Sequence, residues 1–123
     1  MERTVLRGRV ARGIGDLARW MTQYSELFER KTGVRLYPGS LNVILDEPWT
    51  VDDAALRLEP PEYGVPMSII PCEINGVRAF IVRTDKNDAG LGDHPPSVVE
   101  IAAATHLRTI LGVSDGDEVV VVI

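Results

Sequence analysis

Apolar and polar positions alternate over several short stretches of this chain and follow helical spacing over only a few. In "TVLRGRV", Val5, Leu6 and Val10 are interleaved with arginines, which predicts a first strand. "ARGIGDLAR" follows, and its two glycines predict a loop or tight turn. Over 22–31, "TQYSELFERK" has Tyr24, Leu27 and Phe28 at helical spacing, predicting one short amphipathic helix stopped by Gly33. "YPGSLNVILD" then turns at Pro38-Gly39 and alternates Leu41, Val43 and Leu45 as a half-buried strand. That period puts Ser40 and Asn42 on one face together.

Prolines 48, 60, 61 and 66 interrupt the segment 47–66, which reads as a wrapping loop with one short strand. "MSIIPCEING" and "VRAFIVR" flank Asn75-Gly76, the strongest short-range hairpin signal. The polar, Gly-rich segment 84–96 reads as a loop of a length that often carries function. Ser97 then opens a run whose Val98, Ile101, Ala102, Leu107, Ile110 and Leu111 predict a longer helix ending at Gly112, with Ser97 and Glu100 at capping-box spacing. "SDGD" turns into a last strand, "EVVVVI". Strands outnumber helices and do not alternate regularly with them. The expected fold is therefore mainly β, a small barrel with helical insertions comprising one short and one longer helix.

Bulk composition narrows the class. The 123 residues suffice for one domain with a real core, and 45% apolar with 25% charged residues is ordinary for a globular chain. A net charge of −5 disfavours a nucleic-acid partner but not a small phosphorylated ligand held by local groups. No stretch approaches the ~18 apolar residues of a membrane span, and the N-terminus lacks a signal-peptide core, so a cytoplasmic location is expected. Cys72 stands alone, which excludes an internal disulfide and a cysteine zinc site and marks it as a small buried apolar residue.

Candidate chemistry lies in three places. "GIGDLA", residues 13–18, fits the G-x-G-x-x-A dinucleotide fingerprint. Against that reading, the preceding strand carries arginines, Asp46 lies well beyond the expected ~20 residues, and the chain does not continue as βαβ. A surface turn, or a glycine loop whose amides approach a phosphate in another fold, remains. Glu100 and Arg108, about two turns apart on the predicted helix, would lie on similar faces, with Glu100 either a capping carboxylate or an acceptor for a ligand hydroxyl or ring N–H. Ser40 and Asn42 are either turn residues or neutral oxygen ligands suited to a magnesium ion held chiefly by substrate phosphates. His94 and His106 fall in different predicted elements, and no P-loop, G-x-S-x-G or H-E-x-x-H is present.

Taken together, "LRGRVARGIG", "YPGSLNVILD" and "VEIAAATHLRTILGVSDGDEVVVVI" resemble the archaeal-type CTP-dependent riboflavin kinases. That family's pattern is G-x-V-x-x-G-x-G, then P-x-G-[TS]-L-N, then E-I-[IA]-A-x-x-x-L-R followed by D-G-D. The resemblance implies that residues 1–123 form a single six-stranded cradle-loop barrel. The implied reaction moves the γ-phosphoryl of CTP to the 5′-hydroxyl of riboflavin, giving FMN and CDP. By motif position, Gly13, Ile14, Gly15 and Asp16 fall in the nucleotide loop, and Thr105, His106, Leu107 and Arg108 border the nucleotide. Ser40 and Asn42 fall on the magnesium ligands. Glu100 and Ser97 fall at the flavin, with Glu100 the one acid to test as catalytic. The chain departs from the pattern in having Leu17 and Ala18 where a further glycine is usual, Ser40 for threonine, and a longer 84–96 loop. The DNA-binding helical domain of some relatives is not expected here. The same barrel used as a non-catalytic flavin- or nucleotide-binding module is the alternative, and a small interaction domain is a third reading.

Overall fold

The computed structural model describes residues 3–13, 17–51, 55–59, 65–92 and 94–123. Seven strands run in the order β1 (Val5–Ala11), β2 (Leu41–Leu45), β3 (Leu56–Leu58), β4 (Met67–Ile74), β5 (Val77–Thr84), β6 (Val98–Ala102) and β7 (Glu118–Val122). Six of them close a ring of antiparallel pairs, β4-β5-β6-β2-β1-β7, with Ile74 pairing Val121 to bring β7 back to β4. β3 lies outside the ring, paired to the first half of β4.

Strand parity builds two layers. Val43, Ile74, Ile81, Val99, Ile101 and Val121 point inward and are almost wholly buried in the barrel interior. On the outer face of β4 and β5, Phe80, Val82 and Ile69 pack against two helices, α1 (Leu17–Gln23) and α2 (Ser25–Thr32), which contribute Met21 and Phe28. Outward positions there are consequently buried as well, which is why the sequence pattern is mixed.

The Asn75-Gly76 hairpin forms as expected. Both residues have positive φ (46° and 83°), as a type I′ turn requires, and join the Ile74–Val77 pair. The first and last strands and β2 also fall where the alternation puts them, and the 47–66 segment contains the short β3.

Three expectations are corrected. The longer helix over 97–111 does not form: Val98–Ala102 is the central strand β6, and only Leu107–Leu111 is helical (α4). The β-branched Val98, Val99 and Ile101 favour extended backbone, and because both faces of β6 are covered, the apolar run carries no clear period. Ser97 and Glu100 therefore form no capping box, and Glu100 and Arg108 do not share a helix. Next, the single helix expected over 22–31 is two, α1 and α2, separated at Tyr24; "ARGIGDLAR" is already helical from Leu17, because Leu17, Trp20 and Met21 extend the apolar stripe. Finally, the 84–96 loop contains a short helix, α3 (Asp85–Asp88), whose first turn is capped by the Thr84 hydroxyl accepting from Asn87 N–H at 3.1 Å. Among the described residues there are thus four short helices, not one short and one longer, and none is long and apolar enough to cross a membrane.

Candidate functional site

Barrel register decides which side chains meet. Asn42 on β2 lies between Ala11 on β1 and Glu100 on β6, and Glu100 in turn opposes Val82 on β5. Leu41 and Val43 point into the barrel, so Asn42 stands on the outer face, as Glu100 does between the inward Val99 and Ile101. Asn42 is 5% exposed, and its Oδ1 has no hydrogen-bond partner among the described residues. Gly13 lies directly on its amide: a β carbon at Gly13 would come within 2.6 Å of Asn42 Nδ2. Only glycine lets the chain pass there without displacing the asparagine.

Ser40, one residue before β2, shares Asn42's side of the strand. Its hydroxyl donates to Glu100 Oε1 at 3.4 Å, and His94 Nε2 lies 3.8 Å from the same oxygen. The His94 and Glu100 side chains are largely buried. Segment 94–98 is held by Arg83, which projects from the end of β5. Its guanidinium donates to the carbonyls of Pro96 (2.7 Å), Val98 (3.0 Å) and Trp49, and to Asp88 Oδ1 (3.1 Å), while stacking on the Trp49 ring. Burial disfavours the Arg83 charge, and the Asp88 carboxylate opposes that effect.

A cleft of about 230 Å³ opens beside this group. One wall is the 37–41 segment with Ser40; the other runs from the end of β6 through Thr105, His106, Leu107 and Arg108. The His106 ring sits 5.3 Å from that of Tyr37, and its Nδ1 lies 2.7 Å from the Thr109 hydroxyl. Leu107 is buried in the barrel interior. The Arg108 guanidinium donates to Asp115 Oδ1 at 2.6 Å and to the Ala11 carbonyl at 3.2 Å.

The fold therefore gathers Gly13, Ser40, Asn42 and Glu100 on one patch, with Thr105–Arg108 across the cleft from Ser40. Ser97 lies apart from them in register: its carbonyl accepts from Leu45 N–H at the opposite end of β2. Ile14, Gly15 and Asp16 lie outside the described residues. Sequence reasoning set His94 aside as a metal ligand and did not single out Arg83. The available signal for Arg83 was a charged residue at an inward position of the apolar strand "VRAFIVR". For His94, only the long-range pairing of β6 reveals the neighbour.

The donor set suits a hard cation. No group of three His, Cys, Asp or Glu side chains gathers among the described residues, where Ser40 Oγ and Asn42 Oδ1 are neutral oxygens that could hold such an ion together with oxygens brought by a ligand. Cys72 lies in the barrel interior, and burial pushes its thiol up to about 12, which removes it as a nucleophile.

The chain is thus a closed antiparallel barrel with a cross-strand Asn–Glu pair near a cleft, and comparison with known proteins identifies its family. The family model CTP-dep_RFKase, described as a domain of unknown function (DUF120), matches residues 10–123. The chain belongs to this family. It is 37% identical to the riboflavin kinase of Methanocella arvoryzae over 94% of this chain and 55% of that protein. With the riboflavin kinase of Thermococcus kodakarensis, identity is 32% over 97% of this chain and 58% of the relative. With that of Aeropyrum pernix it is 33%, over 97% of this chain and 95% of the relative. The chain thus spans little more than half of the Methanocella and Thermococcus proteins and nearly all of the Aeropyrum one.

Proposed function

We infer that this protein is a riboflavin kinase that moves the γ-phosphoryl of CTP to the 5′-hydroxyl of riboflavin, giving FMN and CDP. Family membership supports the reaction class, and the family model's name supports CTP as donor. The observation that carries the reading to the residues is the Asn42–Glu100 pairing: a buried amide oxygen without a partner among the described residues, beside a carboxylate and near the cleft.

Phosphoryl transfer needs little covalent help; positioning and charge stabilisation supply most of the rate. Ser40 Oγ and Asn42 Oδ1 would hold magnesium, which when bound offsets the negative charge of the nucleotide phosphates. Both ligands are neutral, so they add no repulsion toward those phosphates. Glu100 accepts a hydrogen bond from the flavin substrate and is the group placed to take the 5′-hydroxyl proton as the new O–P bond forms and the β,γ-bridging bond breaks. Ser40 donates to its Oε1 at 3.4 Å, and His94 Nε2 lies 3.8 Å from the same oxygen. Thr105–Arg108 border the nucleotide along the cleft wall.

Incubating the purified chain with riboflavin, magnesium and each of the four nucleoside triphosphates tests the reading by chromatographic detection of FMN. No FMN with any of them would remove the kinase assignment. The loop "GIGDLARW", which carries Leu17 and Ala18 in place of a further glycine, favours a second reading, a non-catalytic flavin- or nucleotide-binding module. Flavin fluorescence quenching without turnover would select that one.

A further inference from the structure

The D-G-D turn has no role in the chemistry above, yet it is tied to both sides of the site. We propose that Asp115 and Arg108 form a latch that fixes the two nucleotide-bordering segments relative to each other, with Arg108 a positioning residue and not a phosphate-binding cation. The proposal rests on the kinase reading for the identity of its ligand, a nucleoside triphosphate.

α4 needs external support. It has five residues, with Leu107 buried in the barrel interior and Leu111 partly buried against the same core, a small apolar anchor for a helix too short to be stable alone. Its C-terminus is closed by Gly112 in the left-handed conformation, with Val113 N–H returning to Arg108 O at 3.1 Å. What fixes α4 against the barrel on its solvent side is the Arg108 side chain, reaching Asp115 and Ala11.

Both of those anchors are firm. The 114–117 turn is bound to β1 by Gly116 N–H to Val10 O (2.7 Å), Val10 N–H to Asp117 O (2.9 Å) and Arg9 to Gly116 O (3.0 Å). It is closed internally by Ser114 N–H donating to the Asp117 carboxylate at 2.8 Å, and Gly116 has φ +89°. Ala11 ends β1, two residues before Gly13 rests on the Asn42 amide. One guanidinium therefore joins the Thr105–Arg108 wall to the point from which the glycine loop departs. Its charge is already met by Asp115, which leaves a geometric role.

The test uses Asp115→Asn, Arg108→Met and the double variant, with the wild-type chain as control. The latch predicts that each single variant raises the nucleotide KM about fivefold, leaves the riboflavin KM within about twofold, and that the double variant is no worse than Arg108→Met alone. An unchanged nucleotide KM in Asp115→Asn overturns it. So does a double variant whose losses multiply, because Arg108 would then meet the nucleotide independently of Asp115. Amide hydrogen exchange on the free protein provides a readout that needs no activity. Exchange in α4 and in the peptide starting at Arg12 should quicken about fivefold in Asp115→Asn, with Val43 and Ile81 unchanged; equal exchange in all regions contradicts the latch. If the wild-type chain makes no FMN, the kinase reading falls, and the exchange result still decides the latch.

Discussion

Asn42 and Glu100 are direct cross-strand partners on the outer face of the barrel, Asn42 buried and Glu100 partly covered there by elements distant in sequence. Asn42 lies under Gly13, and Glu100 between Ser40 and His94. Among the described residues the Asn42 amide oxygen has no partner, and a buried amide oxygen left so costs on the order of 1–3 kcal/mol.

Asn42→Ala removes that amide oxygen, a proposed metal ligand. The expected result is a loss of turnover of about a hundredfold or more with a melting temperature within a few degrees of wild type. Steady-state kinetics beside a thermal melt checks both halves. Undiminished activity would remove Asn42 from the metal site.

Gly13→Ala places a methyl group against the same amide. Either the asparagine or the 12–13 backbone has to move by a few tenths of an ångström, and turnover is expected to fall about tenfold. Kinetics equal to wild type would show that the site tolerates the displacement.

Arg83→Met strips a buried guanidinium from three carbonyls and the Asp88 carboxylate. Leaving those acceptors unpaired should cost about 3–5 kcal/mol, enough to lower the melting temperature by roughly 10 °C or more. Calorimetry measures it, and a shift of a degree or two would contradict the role given to Arg83.

Asp85 sets an acid-side dependence. Its hydrogen bonds to the Arg57 guanidinium, at 2.6 and 2.9 Å, hold its carboxyl below the ordinary value of 3.8. A depressed folded-state pKa stabilises the fold above about pH 4, and that contribution is lost as pH falls through the lowered value. The pair is about half exposed, so it is worth no more than roughly 1 kcal/mol. Urea melts of wild type and Asp85→Asn should differ by that amount at pH 7 and converge near pH 2; a gap that persists in acid would refute the linkage.

Cys72 provides a probe of the barrel interior. With its thiol pushed up to about 12, it should resist a thiol reagent at pH 8 in the native protein and react as one equivalent in denaturant. Rapid native labelling would mean that the barrel opens at that wall.

Much of the fold was legible where one face of an element meets water or a turn residue sets the geometry. The Leu41-Val43-Leu45 alternation and Asn75-Gly76 gave β2 and the β4–β5 hairpin correctly. Legibility failed at β6, since Val98–Ala102 is covered on both sides and its neighbour α4 continues the apolar run. The shared face of Ser40 and Asn42 followed from strand period alone. Glu100 was placed on a helix that does not form; its neighbours Asn42 and Ser40 come from β2–β6 register, which no local pattern encodes. The contacts of His94 and Asp115 join distant segments: the D-G-D motif marked Asp115 but not its partner Arg108, and nothing local paired His94 with Glu100.

The most direct test of the central claim is a transfer experiment with CTP labelled at the γ-phosphate, riboflavin and magnesium. The account predicts label on FMN in step with CDP formation, and its loss in Asn42→Ala. Label recovered only as inorganic phosphate, or retained on CTP while riboflavin stays unchanged, would contradict it.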